Sequence, residues 1–247
     1  MIKELDKPPV KIYRGAYTYF SENNQYAEET FEVFRDKKDL SLNFKSQILS
    51  RVATGELLKI DVDYTIGKDW MPRTVNLIRT LGKQNIQELF FYDHTKNLIS
   101  YRFIDGEGKE TTKTTSTPPR FHINTPATCS NFLFLMTKKF DINGKNTYTV
   151  YSSINQWEPT HDLKQHTLTL FRNGPASDPM LIGKTVLQGD EYFMELDDHH
   201  QSEEDVAKPQ PLSIYLSKYV TIPYVIEDPN TKLKVQVKYF NNLDPDA

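Results

Sequence analysis

The segment Leu58–Ile66 (LKIDVDYTI) alternates without a fault. Leu58, Ile60, Val62, Tyr64 and Ile66 are apolar, and Lys59, Asp61, Asp63 and Thr65 between them are polar. In an extended chain successive side chains point to opposite faces, so this segment buries one face and wets the other. It reads as a half-buried antiparallel strand, and no helical period fits it. The same rhythm recurs along most of the chain. Lys11–Phe20 puts Tyr13, Tyr17 and Tyr19 on one face, and Glu29–Arg35 puts Phe31 and Val33 together. Leu40–Leu49, Arg73–Leu81, Gln87–Tyr92 and Leu98–Ile104 continue the pattern. Thr111–Thr117 is a Thr/Lys run, a loop or a wet edge strand, and Arg120–Ile123 is a short strand behind Pro118 and Pro119. Thr147–Gln156, His166–Arg172, Leu181–Leu187, Tyr192–Leu196, Leu212–Tyr219, Thr221–Ile226 and Leu233–Phe240 complete the strands.

One segment breaks the rhythm. Thr125–Lys139 (TPATCSNFLFLMTKK) has Thr125 as a candidate N-cap and Pro126 at the first helical position. Phe132, Leu135, Met136 and Lys139 follow at helical spacing. One helix among many strands commonly plugs or flanks a curved sheet. The expected fold class is therefore all-β: a curved antiparallel sheet closing into a barrel or half-barrel, with one helix packed at or in its mouth. A lipocalin-like monomer is the simplest form of such a fold. No repeat of fixed period and no early linker divides the 247 residues, so residues 1–247 read as a single β-barrel-like domain. Residues 197–211 (DDHHQSEEDVAKPQP) read as a mobile acidic loop, and residues 241–247 as a frayed polar tail.

Composition enters where it decides between partners. A net charge of −3 with interspersed acids and bases lacks the basic face that phosphate backbones need, which excludes nucleic acid. Lys232, Lys234 and Lys238 share one side of the last strand, as solvated lysines on surface strands do. The aromatic share of 12%, with 14 Tyr and 14 Phe, suits a sheet whose concavity is lined by rings. No apolar run approaches the roughly 20 residues a spanning helix needs. One cysteine forms no intrachain disulfide, and residues 1–11 show no apolar signal core. The expectation is a cytoplasmic location, or a periplasmic one if a leader has been trimmed.

The order at Gly67–Leu81 is a turn, then Trp70-Met71-Pro72-Arg73, then a strand beginning Thr74-Val75. This step, with the long strands from Lys11 to Leu81, resembles the open half-barrel lipid-binding proteins: the LolA-like lipoprotein carriers and the related DUF3108-type proteins. The resemblance implies a curved antiparallel sheet wrapped over helix, with a lipid or other greasy ligand in the concavity. The chain departs from that family in showing neither a secretion signal nor a lipobox cysteine.

Candidate functional residues follow from these two readings. Tyr13, Tyr17, Tyr19, Trp70, Phe132, Met136 and Trp157 are candidate ligand-binding residues, although aromatic stripes also serve as plain core. His122 alternates with Arg120 and Asn124 around Phe121 and Ile123, a polar trio of which Arg120 and His122 form the functional pair. If the apolar pair faces the core, the polar pair faces a lumen and can orient a carbonyl or carboxylate. Cys129 lies in the first turn of the expected helix, with His122 seven residues upstream as a potential base, although free Cys is most often a small buried hydrophobe. Glu158 ends a strand beside Trp157 and is a candidate general acid. His161, Asp162 and His166, and Asp197, Asp198, His199 and His200, lack the spacing of a metal site and read as solvated loops. No metal and no cofactor is expected. The expected function is binding of an apolar small molecule or lipid in the concavity. The alternative is a cofactor-free isomerase, cyclase, hydratase or lyase acting on a hydrophobic substrate there. An interaction module working through the 197–211 loop is a third reading. The oligomeric state and the ligand's identity are left open.

Overall fold

A computed structural model describes residues 8–137, 144–153, 163–175, 180–182, 185–197, 210–217 and 221–244. The chain begins in the middle of the sheet. β1 (Val10–Ser21) turns through Glu22 and Asn23, both with positive φ (49° and 72°), into β2 (Asn24–Arg35). Two consecutive left-handed residues match the right-handed twist of the flanking strands. β3 (Leu42–Arg51), β4 (Leu57–Ile66), β5 (Pro72–Leu81), β6 (Gln84–Asp93), β7 (Leu98–Ile104) and β8 (Glu110–Ser116) follow as an antiparallel meander to one edge. The chain then crosses to the other edge. There β9 (His122–Ile123) pairs in parallel with β10 (Lys145–Ser153). β11 (Leu163–Pro175) returns antiparallel to β10, and a separate small hairpin, β12 (Met180–Ile182) with β13 (Thr185–Leu187), precedes β14 (Gly189–Asp197). β15 (Leu212–Ser217), β16 (Pro223–Asp228) and β17 (Leu233–Asn242) bring the chain back to the middle, where β17 pairs with β1. Fifteen strands thus form one sheet, in the order β8 to β1, then β17 to β14, β11, β10 and β9.

A twisted sheet of more than about ten strands curls. This one curls into a barrel-like form that does not close by a ladder, as the all-β expectation required. A register shift between Ala16 and Tyr17 bends β1 against β17. Gly15 permits close approach inside the bend: a Cβ there would stand 2.5 Å from the Phe31 ring and 2.8 Å from the Tyr239 carbonyl oxygen. The two edges come near each other at one point, where the Tyr151 hydroxyl of β10 donates to the Ser116 carbonyl of β8 at 3.2 Å. β8 itself is polar and largely exposed on both faces, the wet edge strand that its Thr/Lys composition allowed.

The alternation of β4 is realised: Ile60, Val62, Tyr64 and Ile66 are buried, with Lys59, Asp61, Asp63 and Thr65 on the other face. Three expectations are corrected. The expected helix Thr125–Lys139 is, within the described residues, two short 3-10 turns at Thr128–Ser130 and Leu133–Thr137. Local side chains compete for the backbone there: the Thr125 hydroxyl accepts from the Ala127 N–H, and the Ser130 hydroxyl donates to the Ala127 carbonyl. The expected strand Leu181–Leu187 is instead a hairpin of two short strands, Met180–Ile182 and Thr185–Leu187. The tail from Asn241 is held in place as far as Asp244. β17 runs to Asn242, Leu243 N–H donates to the Ile12 carbonyl, and Arg35 pairs with Asp244 at 2.6 Å. The acidic loop, apart from Asp197, Gln210 and Pro211, lies outside the described residues.

The crossover from β8 to β10, residues 117–137, runs through the concave face as a strap. β9 lies against β5, and the first 3-10 turn lies against β3. Phe121, Ile123, Ala127, Cys129 and Leu133 join the aromatic core of β1–β7. Phe132, Phe134 and Leu135 join a second cluster with Tyr148, Leu168, Leu170 and Ile214. The strap therefore fills the concavity and ties the two ends of the sheet together.

Candidate functional site

Burial of ionisable groups is costly unless they are paired or hydrogen-bonded, so the buried polar side chains under the strap are the natural place to look for function. Glu29 of β2 is fully buried on the concave face. Its carboxylate accepts from the Tyr19 hydroxyl (2.5 Å), the Ser46 hydroxyl (2.8 Å), the Thr128 N–H (2.9 Å) and the Cys129 N–H (3.4 Å). The first two donors belong to the sheet and the last two to the strap. Burial pushes the Glu29 pKa up, and the four donors oppose that rise. Tyr17 stands directly opposite Glu29 in the β1–β2 ladder and stacks on Phe31 at 5.3 Å. Its buried hydroxyl has no hydrogen-bond partner among the described residues.

A second polar point lies at β9. Tyr64 of β4 shares a hydrogen bond with His122 Nδ1 at 3.2 Å and accepts the Ile123 N–H at 3.3 Å. The imidazole lies between the Tyr64 and Phe134 rings, and its Nε2 is buried without a partner among the described residues. Burial alone lowers the His122 pKa to about 3. The ring is neutral at physiological pH. A group whose folded pKa falls below its unfolded value of about 6.5 leaves stability intact at high pH. Stability is then lost as pH falls from about 6.5 toward 3, by up to about 1.4 kcal/mol per pH unit. Urea unfolding of wild type and His122→Gln at pH 7.0, 5.5 and 4.5 tests this. The wild type is expected to lose stability more steeply than the variant, and parallel slopes would show that His122 is not buried neutral.

A third point is an ion pair in the floor of the core, between Arg79 of β5 and Glu88 of β6, exposed by only 3% and 0%. The Tyr101 hydroxyl donates to the same Glu88 carboxylate at 2.9 Å.

The expected site residues divide. Tyr13, Tyr17 and Tyr19 are buried on the concave face, and Tyr13 stacks on Phe240 at 5.5 Å. Trp70 is half-buried in the β4–β5 turn with φ of 62°, packed against the same core. Phe132 is buried in the second cluster, whereas Met136 is 40% exposed. Arg120 is exposed while His122 is buried, so the two do not share a lumen-facing side. The alternation fails because β9 is only two residues long and lies inside the concavity, where Phe121, His122 and Ile123 are all buried. Cys129 is buried beside Glu29, and burial together with that carboxylate pushes its thiol up, the opposite of what a nucleophile needs. Trp157, Glu158, His161, Asp162, Asp198, His199 and His200 lie outside the described residues. Among the described residues no cluster of three or more His, Cys, Asp or Glu can hold a metal ion.

Glu29, Ser46, Tyr64, Arg79 and Glu88 were not among the residues singled out from sequence. Parity carries the signal for the two glutamates. Glu29 is two residues before Phe31 and four before Val33, and Glu88 has the same relation to Phe90 and Tyr92. Both must therefore face inward with those rings.

An open trough of about 590 Å³ lies on the outer face of β1–β5. Ladder partners Arg14, Glu32, Lys45 and Asp63 alternate in charge across it, the arrangement of a solvated sheet surface.

Solved structures share this architecture. A DUF1089 family protein from Pseudomonas aeruginosa is 12% identical, with a TM-score of 0.50, covering 84% of this chain and 91% of its own. A β-barrel-like protein of domain of unknown function DUF1849 from Brucella abortus is 9% identical, with a TM-score of 0.60, covering 95% of this chain and 99% of its own. This chain has their fold. At such identities the likeness extends to the fold alone. No protein-family model and no curated protein matches the chain. The neighbours support a barrel-like sheet rather than the LolA-like or DUF3108-type proteins in particular. No helix among the described residues is long and apolar enough to cross a membrane.

Proposed function

We propose that this protein binds an apolar small molecule or lipid in the concavity of its curved sheet, at the place the strap now occupies. The observation that carries this reading is the strap's mode of attachment. It has little regular secondary structure, lies on an aromatic wall, and is tied by its polar groups to Glu29 and Tyr64. Two buried polar atoms there, the Tyr17 hydroxyl and His122 Nε2, have no partner among the described residues. Buried polar groups are nearly always satisfied, so exceptions mark places where contacts change. In this reading the strap is an internal occupant that an apolar guest displaces. Tyr13, Tyr17, Tyr19 and the Phe31 ring line the wall that faces the guest.

Native mass spectrometry after incubation with a crude lipid extract, joined to hydrogen exchange of residues 121–135, tests the proposal. Expected are a bound lipid mass and faster exchange in the strap once the lipid is bound. Absence of any adduct, with the strap exchanging as slowly as β1–β4, would sink it.

A second reading has one observation in its favour. Glu29 is a carboxyl raised by burial and placed among Tyr17, Tyr19 and Cys129, which is how a general acid is prepared. A cofactor-free isomerase, cyclase, hydratase or lyase working on the same guest would use Glu29 rather than Cys129 or Glu158.

A further inference from the structure

We infer that the guest of this concavity carries an uncharged or cationic polar end with adjacent hydrogen-bond donors, and that Glu29 receives it. The inference rests on the proposed displacement of the strap. Glu29 has two kinds of donor: hydroxyls of Tyr19 and Ser46, fixed on β1 and β3, and backbone N–H groups of Thr128 and Cys129, which leave with the strap. A guest that displaces the strap strips the carboxylate of two donors at once. Unless the guest replaces them, the Glu29 carboxyl group stays buried and half-satisfied.

The departing N–H groups come from consecutive residues, so the replacement donors must be close neighbours on one polar end. A vicinal diol or a primary ammonium has that chemistry. A carboxylate or phosphate end does not, because it brings acceptors and like charge to Glu29. An end without donors, such as a methyl ester, leaves the site unpaired. Tyr17 supplies the second, independent observation. Tyr17 is the ladder partner of Glu29, and its buried hydroxyl, without a partner among the described residues, can donate to or accept from an oxygen or nitrogen held there. Together the two side chains form an acceptor and an adaptable hydroxyl on one rung of the β1–β2 ladder. Such matched polar groups discriminate strongly, since a wrong head leaves buried partners unmade.

Four probes with one oleoyl-type chain test this by calorimetric titration at pH 7.5 below their micelle concentrations: 1-monooleoylglycerol, oleylamine, oleate and methyl oleate. Monooleoylglycerol and oleylamine are expected to bind at least about tenfold more tightly than oleate and methyl oleate. In Glu29→Gln that preference is expected to shrink to about threefold or less, and in Tyr17→Phe the monooleoylglycerol affinity is expected to fall severalfold with oleate unchanged. If all four probes bind wild type within threefold, the head-group inference fails while the apolar-guest reading stands. If none binds, the apolar-guest reading fails and the inference with it. A preference that survives intact in either folded variant also overturns the inference. Should one variant not fold, the wild-type ranking and the other variant decide.

Discussion

Arg79→Ala will destabilise the fold by about 3–5 kcal/mol, because it leaves a buried carboxylate without its counter-charge. Arg79 and Glu88 are exposed by 3% and 0%, so neither charge has water to fall back on. Without the guanidinium, the Glu88 carboxylate keeps the Tyr101 hydroxyl but loses its counter-charge. The pair itself contributes far less than its breaking costs, because both charges were desolvated to form it. The double replacement Arg79→Met with Glu88→Leu is therefore expected to lie within about 1 kcal/mol of wild type, or above it. Urea midpoints of the three proteins settle the matter. A loss below about 1 kcal/mol in Arg79→Ala would mean that water reaches the pair.

Glu29→Leu is expected to cost about 3–5 kcal/mol by a different route, the stranding of several buried donors. The Ser46 hydroxyl and the Thr128 and Cys129 N–H groups lose this acceptor at once, while the Tyr19 hydroxyl keeps its contact with the Thr128 hydroxyl at 2.7 Å. Two of those donors hold the strap, so amide exchange of Thr128 and Cys129 should quicken more than that of any β1–β4 ladder amide. Uniform quickening across the sheet would show that Glu29 supports the whole fold and not the strap. Glu29→Gln keeps one acceptor oxygen and is expected to cost less, about 1–2 kcal/mol. Its pH dependence has a fixed sign. The Glu29 pKa is raised on folding, so the stability it contributes is fully present below its unfolded value and is lost as pH rises through the folded one. The gap between wild type and Glu29→Gln should therefore narrow toward alkaline pH, opposite in sense to the His122 effect.

The strands were legible because one face of nearly every strand is buried and the side-chain period is two. β4 shows this best: its polar residues Lys59, Asp61, Asp63 and Thr65 never reach the core. The strap was not legible, because its burial follows from topology rather than from local pattern. A two-residue strand inside a concavity is buried all round, so Arg120, His122 and Asn124 cannot be sorted by alternation. The helical spacing of Phe132, Leu135 and Met136 misled for a related reason. Three-residue and four-residue steps also occur in 3-10 turns broken by side-chain hydrogen bonds, and those bonds at Thr125 and Ser130 are set by the chain around them. The inward glutamates were legible in principle, since they share parity with Phe31 and Phe90, yet a charged residue in a strand is ordinarily assigned to the wet face.

The pairing of β1 with β17 has a kinetic consequence. The two meanders, β1–β8 and β10–β17, are built of neighbours in sequence and can zip hairpin by hairpin as the chain emerges. The ladder from Tyr13–Asn242 to Ser21–Leu233 joins β1 to β17, far along the chain, so it closes only after β17 has been made. Until then β1, with Tyr13, Tyr17 and Tyr19 along it, is an unprotected edge. Closing so long a loop is entropically late and slow. During that interval the nascent chain depends on whatever shields a tyrosine-rich strand, and shortening the chain before Leu233 leaves that edge open for good.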